Sequence, residues 1–356
     1  MHSPQLQSFS IAGHSVAPGS AKDISIPVST MATGYDSHLA VRVLHGAQPG
    51  PAIFISGAIH GDEIIGTAII QRLAHELDPA LLSGTIILVP VSNIFGFVSH
   101  SRYLPDRRDL NRSFPGNSNG SLAGQLANVF FSEIVSRTTL GIDIHSAAVH
   151  RYNLPQIRIA SGSARLLELA MAFAAPVVIE SPLRDGSLRA LAKEHGVEML
   201  LLEAGEALRF DDLSIETGTS GVLRVLAHLK MLDLSDNLLE LGTPARSKKT
   251  QWVRSARGGV VHIAKTSGDA VREGDLLATV AGLFGEEPEG IYSPTDGIVI
   301  GHATLPVVHQ GDALFHIACV TNPERVGERI ETYTDAVMAS DPDEFAEALL
   351  DEDEVL

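Results

Sequence analysis

Three short apolar runs constrain what this chain can fold into, because each ends in a histidine or glutamate and each is flanked by helix-like segments. Ala52 to Ser56 leads into Gly57-Ala58-Ile59-His60-Gly61-Asp62-Glu63, and a helical pattern follows from Ile64 to Leu77. Leu140 to Ile144, interrupted only by Asp143, ends in His145-Ser146-Ala147. Glu198 to Leu202 ends in Glu203-Ala204-Gly205-Glu206. Short apolar runs between helical patterns read as parallel strands of an open α/β sheet. Ligands of such sheets bind outside the carboxyl ends of the strands. His60, Glu63, His145 and Glu203 are therefore expected at one edge.

His60 and Glu63, three residues apart at a strand-to-helix turn, fall on the same side of that turn. One His-x-x-Glu alone is commonplace, and its weight comes from the other strand ends. Two histidines and a glutamate leave a fourth coordination position for water, the arrangement of catalytic rather than structural zinc. The expected cofactor is one zinc ion per chain, held by His60, Glu63 and His145. Zinc brings the pKa of its water to about 7 and polarises a scissile carbonyl. Glu203 is then free to take the water's proton and pass it to a leaving nitrogen. Asp143, two residues before His145, offers either a partner for the imidazole's other nitrogen or a solvated strand-end carboxylate.

These residues resemble the succinylglutamate desuccinylase and aspartoacylase branch of the zinc carboxypeptidase-like hydrolases, over roughly residues 15 to 320. Gly57 to Glu63 is similar to the family's metal motif, Asp143-Ile144-His145-Ser146 to its third ligand, and Leu202-Glu203-Ala204-Gly205 to its catalytic glutamate. Between them, Arg102-Tyr103-Leu104-Pro105-Asp106-Arg107-Arg108-Asp109-Leu110-Asn111-Arg112 resembles the family's arginine segment. The resemblance implies that Asn111 and Arg112 bind a substrate carboxylate, for which arginine offers a bidentate fork. It also implies a further arginine that polarises the scissile carbonyl. Shorter family members place it seven residues before the asparagine, whereas here Arg102 stands nine before and Arg108 three before, so either fills the role. Arg151 and Asn153, just beyond His145, are candidate substrate contacts. His100 and His150 lack a carboxylate at ligand spacing and read as surface histidines.

The organisation changes near residue 245. The expected division is a catalytic α/β domain of residues 1–245 with a mixed, mostly parallel sheet flanked by helices, a smaller all-β barrel-sandwich domain of 246–320, and an acidic helical extension of 321–356. Helices are expected over Leu122 to Val135, Ala164 to Ala174, Ser187 to His195 and Val222 to Leu232. The β half carries Gly-Asp and Asp-Gly pairs suited to tight turns. It resembles biotinyl and lipoyl carrier domains, but Ala281 to Gly290 has no lysine to carry a swinging arm. A structural role, shielding or shaping the active-site mouth, is expected instead, with Gly285-Glu286-Glu287-Pro288 as a loop that could reach the pocket. Asn322-Pro323 and Asp341-Pro342 each read as a helix start, the first with a stripe of Val326, Ile330, Tyr333 and Val337.

A net charge of −17 argues against nucleic acid, whose phosphates need a basic surface. It leaves room for an anionic substrate, because the arginines are local. No apolar run reaches the length of a membrane span, and no secretory signal opens the chain. The lone Cys319 excludes an intrachain disulfide and reads as a buried small hydrophobe, which points to the cytoplasm. Nucleophile-elbow, phosphate-loop and dinucleotide motifs are absent. The reading is a zinc-dependent amidohydrolase acting on a small N-acyl amino acid or similar carboxylate, with no nucleic-acid or membrane partner and with room for a homo-oligomer. The alternatives are a zinc carboxypeptidase acting on short peptides and a non-catalytic, zinc-stabilised binding protein.

Overall fold

The computed structural model describes residues 6–234 and 241–339; the helix start at Asp341 lies outside them. A small hairpin, β1 (Phe9–Ile11) and β2 (His14–Val16), precedes two long antiparallel strands, β3 (Ser20–Thr30) and β4 (Asp36–His45). Then come β5 (Gln48–Gly57), α1 (Ile65–Glu76), β6 (Ser83–Val89), α2 (Ile94–Val98), α3 (Leu122–Glu133), β7 (Leu140–Ala147), β8 (Arg151–Ile159), α4 (Ala164–Phe173), β9 (Val177–Glu180), α5 (Leu188–Glu194), β10 (Glu198–Glu206) and α6 (Asp212–His228). The C-terminal part holds β11 (Ala245–Ser247), β12 (Thr250–Arg254), β13 (Gly259–Ile263), β14 (Ala270–Val271), β15 (Leu276–Ala281), β16 (Glu289–Tyr292), β17 (Gly297–Ala303), β18 (Val307–Val308), β19 (Ala313–Cys319) and α7 (Pro323–Ala339).

The main sheet runs β12-β19-β17-β8-β10-β7-β5-β6-β4-β3. It is mixed: parallel pairing joins β6-β5-β7-β10 and β8-β9-β11, so the catalytic part has the expected mixed sheet with more parallel than antiparallel pairs, while β8 enters antiparallel to β10. The reason is local. β7 turns back into β8 through residues 148–150, too short a link for the crossover that a parallel return requires. The central strands are buried on both faces, which is why they read as unbroken apolar runs. Side chains alternate between two cores: Ile53 and Ile55 of β5 pack with α1, α4 and α6, while Phe54 points to the other face and meets Phe130 of α3 edge-on, with ring centroids 5.8 Å apart.

The C-terminal strands are all β, and they do not stand apart. β12, β14, β17 and β19 extend the main sheet, whereas β16-β15-β13-β18 form a second sheet over a core that includes Val253, Leu277, Val299 and Phe315. β8 is the seam: Arg151 to Asn153 pair with β17, and Gln156 to Ile159 pair with β9. The stripe of α7 docks on the protein itself, with Val326 and Ile330 in a core shared by Leu154, Val177 and Ile298, and the Tyr333 hydroxyl bonded to Thr217 Oγ1 at 3.0 Å. α6 starts ten residues earlier than expected. Asp211 caps it, and small residues such as Ser214, Thr217 and Gly218 fill its buried face without the large apolar side chains that mark a helix by pattern. Cys319 is half-buried. Among the described residues no helix is long and apolar enough to cross a membrane.

Candidate active site

Because β5, β7 and β10 run parallel, their carboxyl ends share one edge, and Glu203 lies directly opposite His145 in the β10–β7 register. After β5 the chain turns sharply: Ala58 adopts a left-handed φ of 48°. Gly61 lies flat against the start of α2, where a Cβ would stand 1.9 Å from the carbonyl carbon of Gly96. That close approach folds His60 and Glu63 inward, and both are buried. His60 Nδ1 is 2.7 Å from Glu63 Oε1, and His145 Nδ1 is 2.7 Å from Glu63 Oε2. On its far side, His145 Nε2 is 2.8 Å from Asp143 Oδ2, whose other oxygen accepts a 2.8 Å bond from the Ser56 hydroxyl. His60 Nε2 is 3.2 Å from Asp109 Oδ1, near enough for attraction but misaligned for a hydrogen bond.

This arrangement fits a cation. A carboxylate behind each Nε2 favours the tautomer that keeps its proton on Nε2, so each Nδ1 presents a lone pair. Both lone pairs then face Glu63, which is itself an acceptor only when ionised. Three acceptors converging out of water need a positive charge between them. Their ligand atoms lie within 4.8 Å of one another, and among the described residues this is the one group of three or more such side chains that converges so closely. Without a metal, the charge is a proton. Burial lowers the affinity of His145 and His60 for it, but their carboxylate neighbours outweigh burial and raise His60 above, and His145 well above, the ordinary imidazole range. Burial pushes Glu63 up, and the two imidazoles outweigh it and hold the carboxyl well below the usual range.

Glu203 emerges at a bulge. The β10 register with both β7 and β8 shifts just after it, where Gly205 takes a left-handed φ of 73°. Its Oε2 accepts a 2.9 Å bond from Asn153 Nδ2, and Arg158 Nε stands 3.7 Å from Oε1. Asn111 is fixed at the start of α5, where its Oδ1 accepts the Leu188 N–H at 2.9 Å. Arg102 donates to Asp109 Oδ2 at 2.9 Å and to Glu63 Oε1 at 3.2 Å.

His60, Glu63, Arg102, Asn111, Arg112, His145, Arg151, Asn153 and Glu203 all line one cavity of about 300 Å³. Arg108 does not. Its side chain is 62% exposed and its nearest acid is Asp106 at 3.8 Å, so of the two candidate arginines only Arg102 reaches the cavity. His100, His150 and the loop of residues 285–288 are likewise absent from its lining. The sequence reading missed several wall residues, chiefly Arg158, Arg184, Arg189 and Trp252. Arg158 carried a signal, being the one charge in the stretch Leu154 to Ala160. Asp109, which buttresses both His60 and Arg102, stood inside the arginine segment without a role.

Residues 49–229 match the family model described as the succinylglutamate desuccinylase/aspartoacylase catalytic domain. A curated relative, the N-alpha-acetyl-L-2,4-diaminobutyric acid deacetylase of Halomonas elongata, is 24% identical over 310 residues, spanning 83% of this chain and 90% of that protein. Among solved structures, a succinylglutamate desuccinylase/aspartoacylase from Rhodobacter sphaeroides is similar with a TM-score of 0.76 and 24% identity, covering 85% of this chain and 96% of its own. The product-bound ectoine utilization protein of Ruegeria pomeroyi has a TM-score of 0.76 and 24% identity, covering 84% and 95%.

Proposed function

This chain belongs to the succinylglutamate desuccinylase/aspartoacylase family, and on that premise we propose that it is a zinc-dependent amidohydrolase that removes an acyl group from an N-acyl amino acid bearing more than one anionic group. One observation carries the reading: a buried His-Glu-His cluster and Glu203 open into a single small cavity whose wall carries six arginines. His60, Glu63 and His145 would hold the metal, which when bound supplies a Lewis acid that acidifies water and polarises a carbonyl. Glu203 takes the proton of the attacking water and delivers it to the departing nitrogen. Asn153 orients that carboxylate by its bond to Oε2. Arg102, anchored on Asp109, offers its guanidinium to the oxygen on which charge develops. Asn111 and Arg112 grip the substrate's carboxylate.

The second anionic group follows from charge. Six arginines line the cavity against two carboxylates, Glu63 and Glu203, in a chain whose net charge is −17. One carboxylate does not need six guanidinium groups, which leaves Arg158, Arg184 and Arg189 to bind another. The relative from Halomonas elongata is named for a diaminobutyric acid derivative. The second amine of such a substrate would meet these arginines with like charge, so a different amino acid is expected here. A cavity of about 300 Å³, with Trp252 in its wall, also suits a small molecule better than a peptide. The test is amine release from N-acyl amino acids by protein stripped with chelator and reloaded with zinc. Restoration by zinc, and its loss in Glu203→Gln, is expected; turnover that survives chelation would remove the metal from the reading.

A further inference from the structure

We propose that Gly301, in the C-terminal strand β17, is a positioning residue for the catalytic base: the side chain it lacks is what allows Asn153 to hold Glu203. The inference rests on the reading of Glu203 as base given above. A row of residues crosses the sheet in register. His316 of β19 faces Gly301 of β17, Gly301 faces Asn153 of β8, and Asn153 faces Gly205 of β10 at the bulge beside Glu203. Asn153 is buried, and its Nδ2 donates to Glu203 Oε2 at 2.9 Å. Its Oδ1 occupies the space above Gly301: a Cβ there would stand 2.7 Å from Oδ1, against 3.4 Å from the Tyr152 carbonyl oxygen and 3.6 Å from His316 Cβ.

Glycine inside a strand weakens it, and the neighbours of Gly301 are Ile298, Val299 and Ile300, good strand formers. Something must require it. The backbone does not, because Gly301 is not among the residues with left-handed φ. The β17–β19 ladder has a register shift between Val299 and Gly301, but a bulge needs glycine only where φ is positive. Space for the Asn153 amide remains as the reason. Since the displaced atom would be the end of a side chain and not backbone, a methyl group at 301 pushes Asn153 aside while the fold is kept. Glu203 then loses its only hydrogen-bond donor among the described residues. In this way β17 acts on the chemistry without lining the cavity.

The test is a double-mutant cycle in the zinc-loaded full-length enzyme, using Gly301→Ala, Asn153→Ala and the double variant, with Glu203→Gln as control. Each single substitution is expected to lower kcat by roughly tenfold or more, because a small misplacement of a reacting group is costly. KM and zinc stoichiometry should be unchanged, and the double variant should be no slower than Asn153→Ala. A Gly301→Ala enzyme with wild-type kcat, or losses that multiply in the double variant, overturns the proposal. Turnover retained by Glu203→Gln would instead sink the assignment of the base. A readout independent of turnover is the side-chain amide resonance of Asn153, identified by its loss in Asn153→Ala. It should move in Gly301→Ala, and a resonance that stays in place contradicts the inference.

Discussion

Along the wall of the cavity built by β5 and β7, each polar atom faces an opposite charge within one short network: His60 and His145 against Glu63, His145 against Asp143, and His60 and Arg102 against Asp109. The opposite wall is under-paired. Arg158 Nε has only Glu203 Oε1 at 3.7 Å, Arg189 Nη1 is buried without a hydrogen-bond partner, and burial, reinforced by Arg158, pushes the Arg189 guanidinium down to about 10. Both residues line the cavity together with Arg112, Arg151 and Arg184, an excess of positive charge that suits an anionic ligand. The first wall is organised around a cation, the second around an anion.

The largest expected effect lies where the walls meet. Glu203→Gln should lower turnover by roughly 10²–10⁴-fold while metal content holds; comparable turnover in that variant would move the base elsewhere. On the cation wall, His145→Ala should abolish tight metal binding. In the wild type, metal must displace protons that His60 and His145 keep above the ordinary imidazole range. Affinity should therefore rise with pH through neutrality, with protons released on binding. Titration calorimetry in two buffers of different ionisation enthalpy reads that release, and none would mean that the cluster is not the site. Asp143→Asn should weaken metal binding by about 10–100-fold, measured by chelator competition.

Smaller effects sharpen the anion wall. Arg189→Gln should raise KM about tenfold for a substrate with a second carboxylate and little for a mono-acid analogue, since only the former needs the extra charge-assisted bonds. Equal effects on both would assign Arg189 to the fold. Arg108→Ala should change neither kinetics nor melting, because an exposed ion pair is worth about 0–1 kcal/mol. A marked loss of kcat there would return the oxyanion role to Arg108.

The same contrast explains what could be read from residues alone. The cation wall uses contacts at fixed local spacing, His60 with Glu63 and Asp143 with His145, and a pairing of His145 with Glu203 between adjacent strands, so periodicity locates it. The anion wall draws Arg158, Arg184, Arg189 and Trp252 from three separate segments whose convergence depends on β8 forking to β9 and β17. No spacing encodes that fork. β3 escaped notice for a related reason: it buries only Ile24 and Ile26, too weak an alternation against its exposed polar residues. Trp252 shows the limit most clearly. It opens the β half of the chain, yet it stacks on His316 at 4.1 Å, lies beneath Arg151, and closes a cavity made mostly by the other half.

The most direct test of the two-wall account is kcat/KM of the zinc-loaded protein across N-acyl amino acids that differ only in side-chain charge: carboxylate, neutral amide and amine. The account predicts the carboxylate substrate first and the amine last, with the difference collapsing in Arg189→Gln. Preference for the amine, or equal rates on all three, would contradict it.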